Sequence, residues 1–449
     1  VIDAGVNALH QGWTHYGPSA GLPELRQAIA KEVSASRGVE VSPDEVVVVP
    51  GGKPIIFFTV LALAEQGDEV IYPNPGFPIY ESMIHYVGAK PVPIRLREDR
   101  DFRFDVDEFA SLINDRTRLI ILNSPHNPTG GVLSKQDIRD IAEVIGDRNL
   151  MVLSDEIYSR LIFDGEHYSI MSVAGFQERT ILLDGFSKTY AMTGWRMGYG
   201  VMRTDLAAHI TRLMTNSNSC TASFTQMAGI EALRGDQGSV ENMKHEFQKR
   251  RDAFVAGLNK LKGFSCRMPK GAFYAFPNIR QTGWTSKKLA DALLEDAGVA
   301  CLSGTAFGDF GEGYLRWRWA RKQLEKSREY WISTVRPDGS PHTMIVWGLW
   351  INNQFLFSTG KHSVKARNLA GNNRCTLGSD DAGAAVIVEG TAEPLADASI
   401  RKQFFPRYEK KYKFDMSGMQ EEPIFAVRPL VAFGLREKDF SKSATRWKF

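Results

Sequence analysis

The stretch that bears most directly on the fold is Asp184-Gly185-Phe186-Ser187-Lys188-Thr189-Tyr190. It follows the apolar run 180–183, which predicts a buried strand, and it precedes Gly194-Trp195-Arg196. A turn directly after a buried strand is an unusual place for a solvated lysine. It is a suitable place for an amine that forms a Schiff base with a carbonyl cofactor. Taken alone, Lys188 could equally be a loop lysine that points into water.

Two upstream segments carry polar residues at the same kind of junction. Asn123-Ser124-Pro125-His126-Asn127-Pro128-Thr129-Gly130 follows the apolar run 119–122, and Ser154-Asp155-Glu156-Ile157-Tyr158 follows the run 151–153. Open α/β sheets place their ligands at the carboxyl ends of strands. There Asp155 could keep the ring nitrogen of pyridoxal phosphate protonated, while Asn127 and Tyr158 approach its 3-oxygen. Each residue also has a plain alternative, because Asn127 fits a turn and Asp155 fits a helix cap.

Residues 1 to about 318 resemble the class I/II aminotransferases of pyridoxal-phosphate fold type I. The likeness rests on the three segments above and on five further motifs, which are His15-Tyr16-Gly17-Pro18-Ser19-Ala20-Gly21, Pro50-Gly51-Gly52-Lys53, Asn74-Pro75-Gly76-Phe77-Pro78, Gly271-Ala272-Phe273-Tyr274 and Gly313-Tyr314-Leu315-Arg316. The resemblance implies a transaminase that moves an amino group from an α-amino acid to a 2-oxo acid. Two alternatives remain, namely other chemistry of the same cofactor (lyase, decarboxylase or racemase) and a scaffold that binds the cofactor without turnover.

The resemblance also implies a role for each matching residue. Lys188 would form the Schiff base and carry the proton, with Asp155 on the ring nitrogen and Tyr158 and Asn127 on the 3-oxygen. Phe77 would stack on the ring. Arg316, together with Asn127, would bind the substrate carboxylate. The residues expected at the cofactor phosphate are Gly52, Lys53, Ser187, Arg196 and, from the neighbouring subunit of a homodimer, Tyr16.

Length and composition indicate an ordinary globular protein. The 449 residues suffice for two or three domains, and the apolar fraction of 43% and charged fraction of 24% are typical. No apolar run approaches the length of a transmembrane helix, and no signal peptide pattern is present. The four cysteines show no paired spacing. We therefore expect no metal site, no disulfides, no membrane partner and a cytoplasmic location.

A boundary near residue 320 is marked by charge and by tryptophan content. Residues 1–320 carry 34 Lys and Arg against 38 Asp and Glu, whereas residues 321–449 carry 21 against 14. Six of the nine tryptophans fall from Trp317 onward. The basic tail has no zinc spacing, basic helix or RNA-binding motif, so we expect no nucleic-acid partner.

Before this boundary the sequence predicts an α/β fold. Strands are expected at 46–49, 69–72, 119–122, 151–153, 180–183 and 198–202, and helices at 24–36, 54–66 and 135–145. This alternation predicts a mostly parallel sheet with helices on both faces. The expected domains are a large cofactor-binding domain at 1–205 and a small α/β domain at 206–320. Relative to the family pattern, the amino-terminal arm and the carboxyl-terminal part of the small domain are expected to be missing.

After the boundary the pattern changes to a β-meander. Strands are expected at 330–336, 341–351, 354–359 and 384–392, with a turn at Asn352-Asn353 and a helix at 363–371. Residues 321–449 resemble the pyridoxamine-phosphate-oxidase-like, flavin-binding split barrels. The likeness rests on four motifs, which are Tyr330-Trp331-Ile332-Ser333-Thr334-Val335-Arg336-Pro337-Asp338-Gly339, Ser358-Thr359-Gly360, Lys365-Ala366-Arg367-Asn368-Leu369 and Thr445-Arg446-Trp447-Lys448-Phe449. The resemblance implies a small antiparallel barrel that takes FMN or a deazaflavin, with the candidate residues Ser358, Thr359, Lys361, Lys365 and Trp447. A barrel with lysines on its rim and no cofactor is the alternative, and a flavin oxidoreductase in this barrel is a further hypothesis.

Overall fold

The computed structural model describes residues 1–296, 299–318, 329–351, 354–379, 384–416, 418, 421–436 and 445–448. The chain divides into two compact units. The first consists of Val1–Lys288 and Leu302–Trp319, and the second of Leu289–Cys301 and Ala320–Phe449.

The first unit is built on a seven-stranded sheet. Its strands are β1 (Val46–Val49), β2 (Glu69–Asn74), β3 (Lys90–Arg95), β4 (Thr117–Asn123), β5 (Met151–Asp155), β6 (Thr180–Gly185) and β7 (Gly198–Val201). They lie in the order β1-β7-β6-β5-β4-β2-β3. The neighbours from β6 to β3 are parallel, and only β7 runs antiparallel to the strands beside it. The predicted α/β fold with a mostly parallel sheet is confirmed.

Helices cover both faces of this sheet. Alternate residues of β1 show the arrangement, because Val47 and Val49 pack in one hydrophobic core and Val46 and Val48 in another. A strand buried on both faces is a continuous apolar run, which is why these segments could be recognised in the sequence. The helices up to the boundary are α1 (Ile2–His10), α2 (Pro23–Arg37), α3 (Lys53–Leu63), α4 (Ile79–Tyr86), α5 (Val106–Leu112), α6 (Lys135–Ile145), α7 (Phe186–Thr189), α8 (Thr204–Ser217), α9 (Ser223–Arg234), α10 (Gly238–Leu258) and α11 (Ser286–Glu295).

A small antiparallel sheet follows the long helix α10. It contains β8 (Tyr274–Ala275), β9 (Leu302–Ser303) and β10 (Leu315–Arg318) in the order β8-β10-β9. Strand β10 contains Arg316, and β8 contains Tyr274, so this sheet carries two of the motifs from the sequence.

The second unit contains a curled antiparallel sheet. Its strands are β11 (Tyr330–Val335), β12 (Pro341–Val346), β13 (Gly348–Ile351), β14 (Gln354–Ser358), β15 (Arg374–Ser379), β16 (Ala384–Pro394), β17 (Ile424–Arg436) and β18 (Thr445–Lys448). The order is β12-β11-β15-β16-β17-β14-β13, and β18 pairs with β17. Among the described residues of this unit, the helices α12 (Val364–Gly371) and α13 (Ala398–Tyr412) accompany the sheet.

The stretch 341–351, predicted as one strand, is two strands separated by Trp347. Strands β12 and β13 lie at opposite ends of the strand order although a single residue joins them, so the sheet must curl back on itself. This curl gives the half-barrel that the sequence predicts. The turn expected at Asn352-Asn353 lies outside the described residues.

Candidate active site

One cavity of about 250 Å³ gathers most of the residues that the sequence singles out. The parallel register places Asn123 beside Asp155 and Asp155 beside Leu183, so the carboxyl ends of β4, β5 and β6 open into the same space. The predicted residues that line the cavity are Gly52, Lys53, Phe77, Asn127, Asp155, Tyr158, Ser187, Lys188, Arg196 and Arg316. Tyr16 does not line it, and 88% of that residue is exposed.

Lys188 lies in the single-turn helix α7, directly after β6. Its Nζ atom is 5.8 Å from the centroid of the Tyr158 ring and 5.5 Å from that of the Phe273 ring. Lys188 is half-buried and, like Tyr158, lines the cavity. It is therefore held where it can react with a molecule bound in the cavity.

Asp155 is buried at the end of β5. Its carboxylate accepts hydrogen bonds from the hydroxyl of Tyr80 at 2.6 Å and from the backbone N–H of Ile157 at 3.3 Å. Burial raises the pKa of Asp155 to about 6, against the lowering effect of these two hydrogen bonds. Sequence reasoning missed Tyr80, because a tyrosine in an apolar helix looks like any core aromatic residue.

Two tyrosines and an arginine, Tyr158, Tyr274 and Arg316, also line the cavity. The hydroxyls of Tyr158 and Tyr274 lie 2.6 Å apart, and burial raises the pKa of Tyr158 well above its usual value. The guanidinium of Arg316 lies 4.8 Å from the centroid of the Tyr274 ring, and its Nη1 donates to Asn127 Oδ1 at 3.4 Å. A planar cation beside an amide is suited to a carboxylate ligand.

A further group of donors lies around the start of α3. Gly52 is the N-cap residue of this helix, and Lys53 is its first residue. The amino end of a helix attracts anions, and Ser187 and Arg196 line the same cavity. Gly51 has a φ of +84°, and a Cβ atom there would collide with the Arg196 guanidinium. Glycine at this position lets the backbone and Arg196 approach each other closely.

Behind the cavity lies a buried ionic network that the sequence did not reveal. Arg37 donates to Glu156 at 2.9 Å and to Asp184 at 3.1 Å, and His167 Nε2 lies 2.7 Å from Glu156. Burial works to raise the pKa of Glu156, but His167 and Arg37 lower it to about 2. The network joins the end of α2 to the ends of β5 and β6. Glu156 and Asp184 stand in the quoted motifs, but no signal in the sequence linked them to Arg37.

The residues in the cavity fit pyridoxal phosphate. The molecule needs an amine, a carboxylate for its ring nitrogen, donors for its 3-oxygen and a cluster of donors for its phosphate. In the cavity, Lys188 would be the amine and Asp155 the carboxylate for the ring nitrogen. Tyr158 and Asn127 would be the donors for the 3-oxygen, and the donors for the phosphate would be Gly52, Lys53, Ser187 and Arg196. Phe77 also lines the cavity, where it can cover a flat ring.

Four of the five candidate flavin residues of the second unit lie close together in the chain, between Ser358 and Lys365. Ser358 ends β14 and donates to Pro423 O at 3.3 Å, while the Thr359 hydroxyl donates to Ser363 Oγ at 3.1 Å. Lys361 accompanies them in this loop, and burial lowers the pKa of Lys365 in the first turn of α12. Trp447 lies in β18, where its backbone is paired opposite Ala432 of β17.

In the part of the chain that the structure describes, no helix is both long enough and apolar enough to cross a membrane.

Comparisons with known proteins relate the first unit to enzymes of established type. An aspartate aminotransferase from Pyrococcus horikoshii is 42% identical over 319 residues, covering 70% of this chain and 81% of that protein. Aromatic-amino-acid aminotransferase 2 from Thermococcus litoralis is 38% identical and covers 72% of this chain and 84% of its own.

Solved structures show the same relationship. An aromatic aminotransferase from Pyrococcus horikoshii matches with a TM-score of 0.70 at 41% identity, over 72% of this chain and 87% of the other. An aspartate aminotransferase from Thermus thermophilus, solved with maleate, matches with a TM-score of 0.69 at 33% identity, over 72% and 84% of the two chains.

Family models divide the chain as the sequence predicts. The model for pyridoxamine 5'-phosphate oxidase matches residues 319–434, and the model for aminotransferase class I and II matches residues 1–329. The chain, whose cavity combines a lysine and a buried aspartate at the ends of parallel strands with an arginine from the small antiparallel sheet, therefore belongs to the class I and II aminotransferases, with a pyridoxamine-phosphate-oxidase-like barrel after it.

Proposed function

We propose that the cavity at the ends of β4, β5 and β6 is the site of pyridoxal-phosphate-dependent amino transfer, with Lys188 as the amine that moves the proton. The observation that carries the proposal is that Lys188 and Asp155 line one cavity together with Asn127 and Arg316. One small molecule in this cavity can therefore reach the amine of Lys188, the carboxylate of Asp155 and the donors of Asn127 and Arg316.

When bound, pyridoxal phosphate supplies a carbonyl that condenses with amines and a ring that accepts the electron pair left at the substrate Cα. Asp155 holds the proton on the ring nitrogen. Lys188 lines the same cavity, where its Nζ would act as the general base that takes the proton from the substrate Cα and, once protonated, as the general acid. The start of α3, Ser187 and Arg196 bind the phosphate and fix the orientation of the ring.

The substrates are expected to be an α-amino acid and a 2-oxo acid, which share a carboxylate beside the reacting carbon. Arg316 and Asn127 are the donors for that carboxylate. The fork-shaped guanidinium of Arg316 can bind both oxygens of the substrate carboxylate, and this orients the substrate Cα relative to Lys188. The relatives include both aspartate and aromatic aminotransferases, so we propose no single side chain for the substrate.

A half-reaction tests this function against other chemistry of the cofactor. The full chain, loaded with pyridoxal phosphate, is mixed with one amino acid and no 2-oxo acid. We expect one equivalent of 2-oxo acid and a cofactor converted to pyridoxamine phosphate, and neither in Lys188→Ala. Release of carbon dioxide or ammonia, or racemised amino acid with unchanged cofactor, would contradict amino transfer.

We further propose that the chain acts as a homodimer in which Tyr16 contacts the cofactor phosphate bound by the neighbouring subunit. Tyr16 is exposed and does not line the cavity of its own chain. A residue that contacts the cofactor of a neighbouring subunit has to be exposed in this way in the single chain. Two-fold dimers are also the commonest oligomers.

For the second unit we propose flavin binding, with FMN or a deazaflavin as the cofactor. The match to the pyridoxamine 5'-phosphate oxidase family supports this, and so do the hydroxyls and lysines between Ser358 and Lys365. The chain should be incubated with FMN, desalted and denatured, and the released chromophore identified by its spectrum. We expect flavin release, and less of it from Lys361→Ala/Lys365→Ala than from a control with Lys402→Ala. No flavin release from the unmodified chain would contradict the proposal.

A further inference from the structure

Tyr80 lines the same cavity as Lys188, and its hydroxyl contacts Asp155. The side chain belongs to α4 and is among the largest fully buried side chains described. Its hydroxyl donates to Asp155 Oδ2 at 2.6 Å, and its ring packs edge-on against Phe77 at 5.9 Å between centroids. The hydroxyl is therefore held in a fixed position by the packing of its ring.

The surroundings of Asp155 oppose its negative charge. Asp155 is buried, and the carboxylates of Asp184 in β6 and of Glu156, directly after β5, act on it through their like charge. Arg37 and His167 pair with these two acids and reduce that repulsion without contacting Asp155. Tyr158, with which Asp155 also interacts, is a neutral phenol because burial raises its pKa well above its usual value. The cations that line the same cavity are Lys53, Lys188, Arg196 and Arg316.

Two donors act in the other direction. In the described part of the chain, hydrogen bonds reach the Asp155 carboxylate from the Tyr80 hydroxyl at 2.6 Å and the Ile157 N–H at 3.3 Å. Short hydrogen bonds to an ionised acceptor are the stronger ones, so Tyr80 contributes most to keeping the carboxylate charged.

We propose that Tyr80 is a positioning residue for amino transfer, whose hydroxyl keeps Asp155 ionised and fixed in orientation for the ring nitrogen of the cofactor. The inference rests on the proposed function, because it assigns to Asp155 the ring-nitrogen contact. Tyr80 acts through Asp155 and takes no proton itself.

The direction of the effect follows from which form of Asp155 the hydroxyl stabilises. A hydroxyl that donates to the carboxylate favours the ionised form, so its removal raises the carboxyl pKa above the present value of about 6. Near neutral pH a larger share of Asp155 would then carry its own proton. A protonated carboxyl in place of the carboxylate leaves the ring nitrogen without the negative charge that holds its proton.

The test compares Tyr80→Phe with Tyr86→Phe in the full chain before any cofactor is added. Both residues lie in α4, but Tyr86 is 69% exposed, so it controls for the loss of a hydroxyl from this helix. The chain is labelled with carbon-13 at the aspartate carboxyls, and Asp155→Asn identifies the Asp155 signal. We expect the midpoint of its titration to rise by about one pH unit in Tyr80→Phe and to stay unchanged in Tyr86→Phe. An unchanged midpoint in Tyr80→Phe would overturn the proposal.

A second readout uses the chain loaded with pyridoxal phosphate. In Tyr80→Phe we expect the pH dependence of the cofactor's visible absorbance to shift. We expect kcat to fall about twofold at pH 7 and about tenfold near pH 5, because a one-unit rise in the Asp155 pKa lowers its ionised share by those factors, and we expect KM for the amino acid to change little. A change confined to KM, with an unshifted spectrum, would also overturn it. If the unmodified chain binds no pyridoxal phosphate, the proposed function fails, whereas the carboxyl titration still decides whether Tyr80 controls Asp155.

Discussion

Asp155 combines two requirements that oppose each other, since it is buried and yet must carry a charge. Burial raises the pKa of Asp155 to about 6, and the hydrogen bonds from Tyr80 and Ile157 limit this rise because they stabilise the carboxylate. At neutral pH the carboxylate is therefore the main form, but by a narrow margin. A residue of this kind is sensitive to small changes in its surroundings, which is typical of active sites.

Replacing Asp155 with Asn should leave the cofactor bound and slow the removal of the Cα proton. A neutral amide cannot hold a proton on the ring nitrogen, so the site loses stabilisation of the charge that develops in the transition state. We expect kcat to fall roughly 10²-fold or more. Single-turnover kinetics with an amino acid would measure this, with Asp205→Asn on the surface of α8 as the control. A near-normal rate would mean that Asp155 only shapes the local turn through its bond to Ile157.

Ten of the residues that the sequence singles out line one cavity, and their roles there stay a prediction. The sequence could not predict the residues that support them. Tyr80 and Arg37 reach the site through three-dimensional packing, from a helix before β3 and from the end of α2. No spacing along the chain distinguishes them from an ordinary core tyrosine or a helix-terminal arginine.

Among the elements, the ends of α2, β5 and β6 are joined by the buried network of Arg37, Glu156 and Asp184. Replacing Arg37 with Met removes the cation between two buried carboxylates and should reduce the free energy of unfolding by about 3–5 kcal/mol. Urea denaturation would measure this. Arg203 pairs with Asp205 at the surface, so Arg203→Met should cost only about 0–1 kcal/mol. If Arg37→Met lowered the free energy of unfolding by no more than the small amount expected for Arg203→Met, the buried network would add no stability.

The same network predicts how stability depends on pH. Glu156 has a folded-state pKa of about 2, below the usual 4.5, so it contributes stability that is present above pH 4.5 and is lost as the pH falls toward 2. In Glu156→Gln this contribution should be absent at neutral pH, and the loss of stability between pH 4.5 and 2 should be smaller than in the unmodified chain. Urea midpoints at several pH values would check it. If both chains lost stability equally steeply between pH 4.5 and 2, Glu156 would not be the source of this pH dependence.

Strand prediction succeeded where burial makes a strand continuously apolar, and failed where it does not. Strand β3 contains Pro91 and Pro93 and alternates exposed with buried residues. It lies at the edge of the sheet, where a proline's missing N–H can face away from the neighbouring strand. Trp347, in turn, interrupts a run that reads as one strand, because curling the sheet requires a corner that the alternation of residues does not reveal.

For the molecule as a whole, the proposed dimer makes each site depend on two chains. Lys188→Ala and Tyr16→Ala should each be nearly inactive alone. When the two variants are denatured together and refolded, a mixed dimer holds one site with both residues intact. Random pairing should then restore about a quarter of the activity of the unmodified chain. No recovery, together with a monomeric mass for an active unmodified chain, would contradict a shared site.

Borohydride trapping shows directly whether Lys188 is the amine that reacts with the cofactor. The full chain is incubated with pyridoxal phosphate, reduced with borohydride, digested and mapped by mass spectrometry. We predict that the phosphopyridoxyl group is found on Lys188 and that Lys188→Ala remains unlabelled. A label on Lys53, which lines the same cavity, or equal labelling of the Lys188→Ala chain, would mean that Lys188 is not the reacting amine.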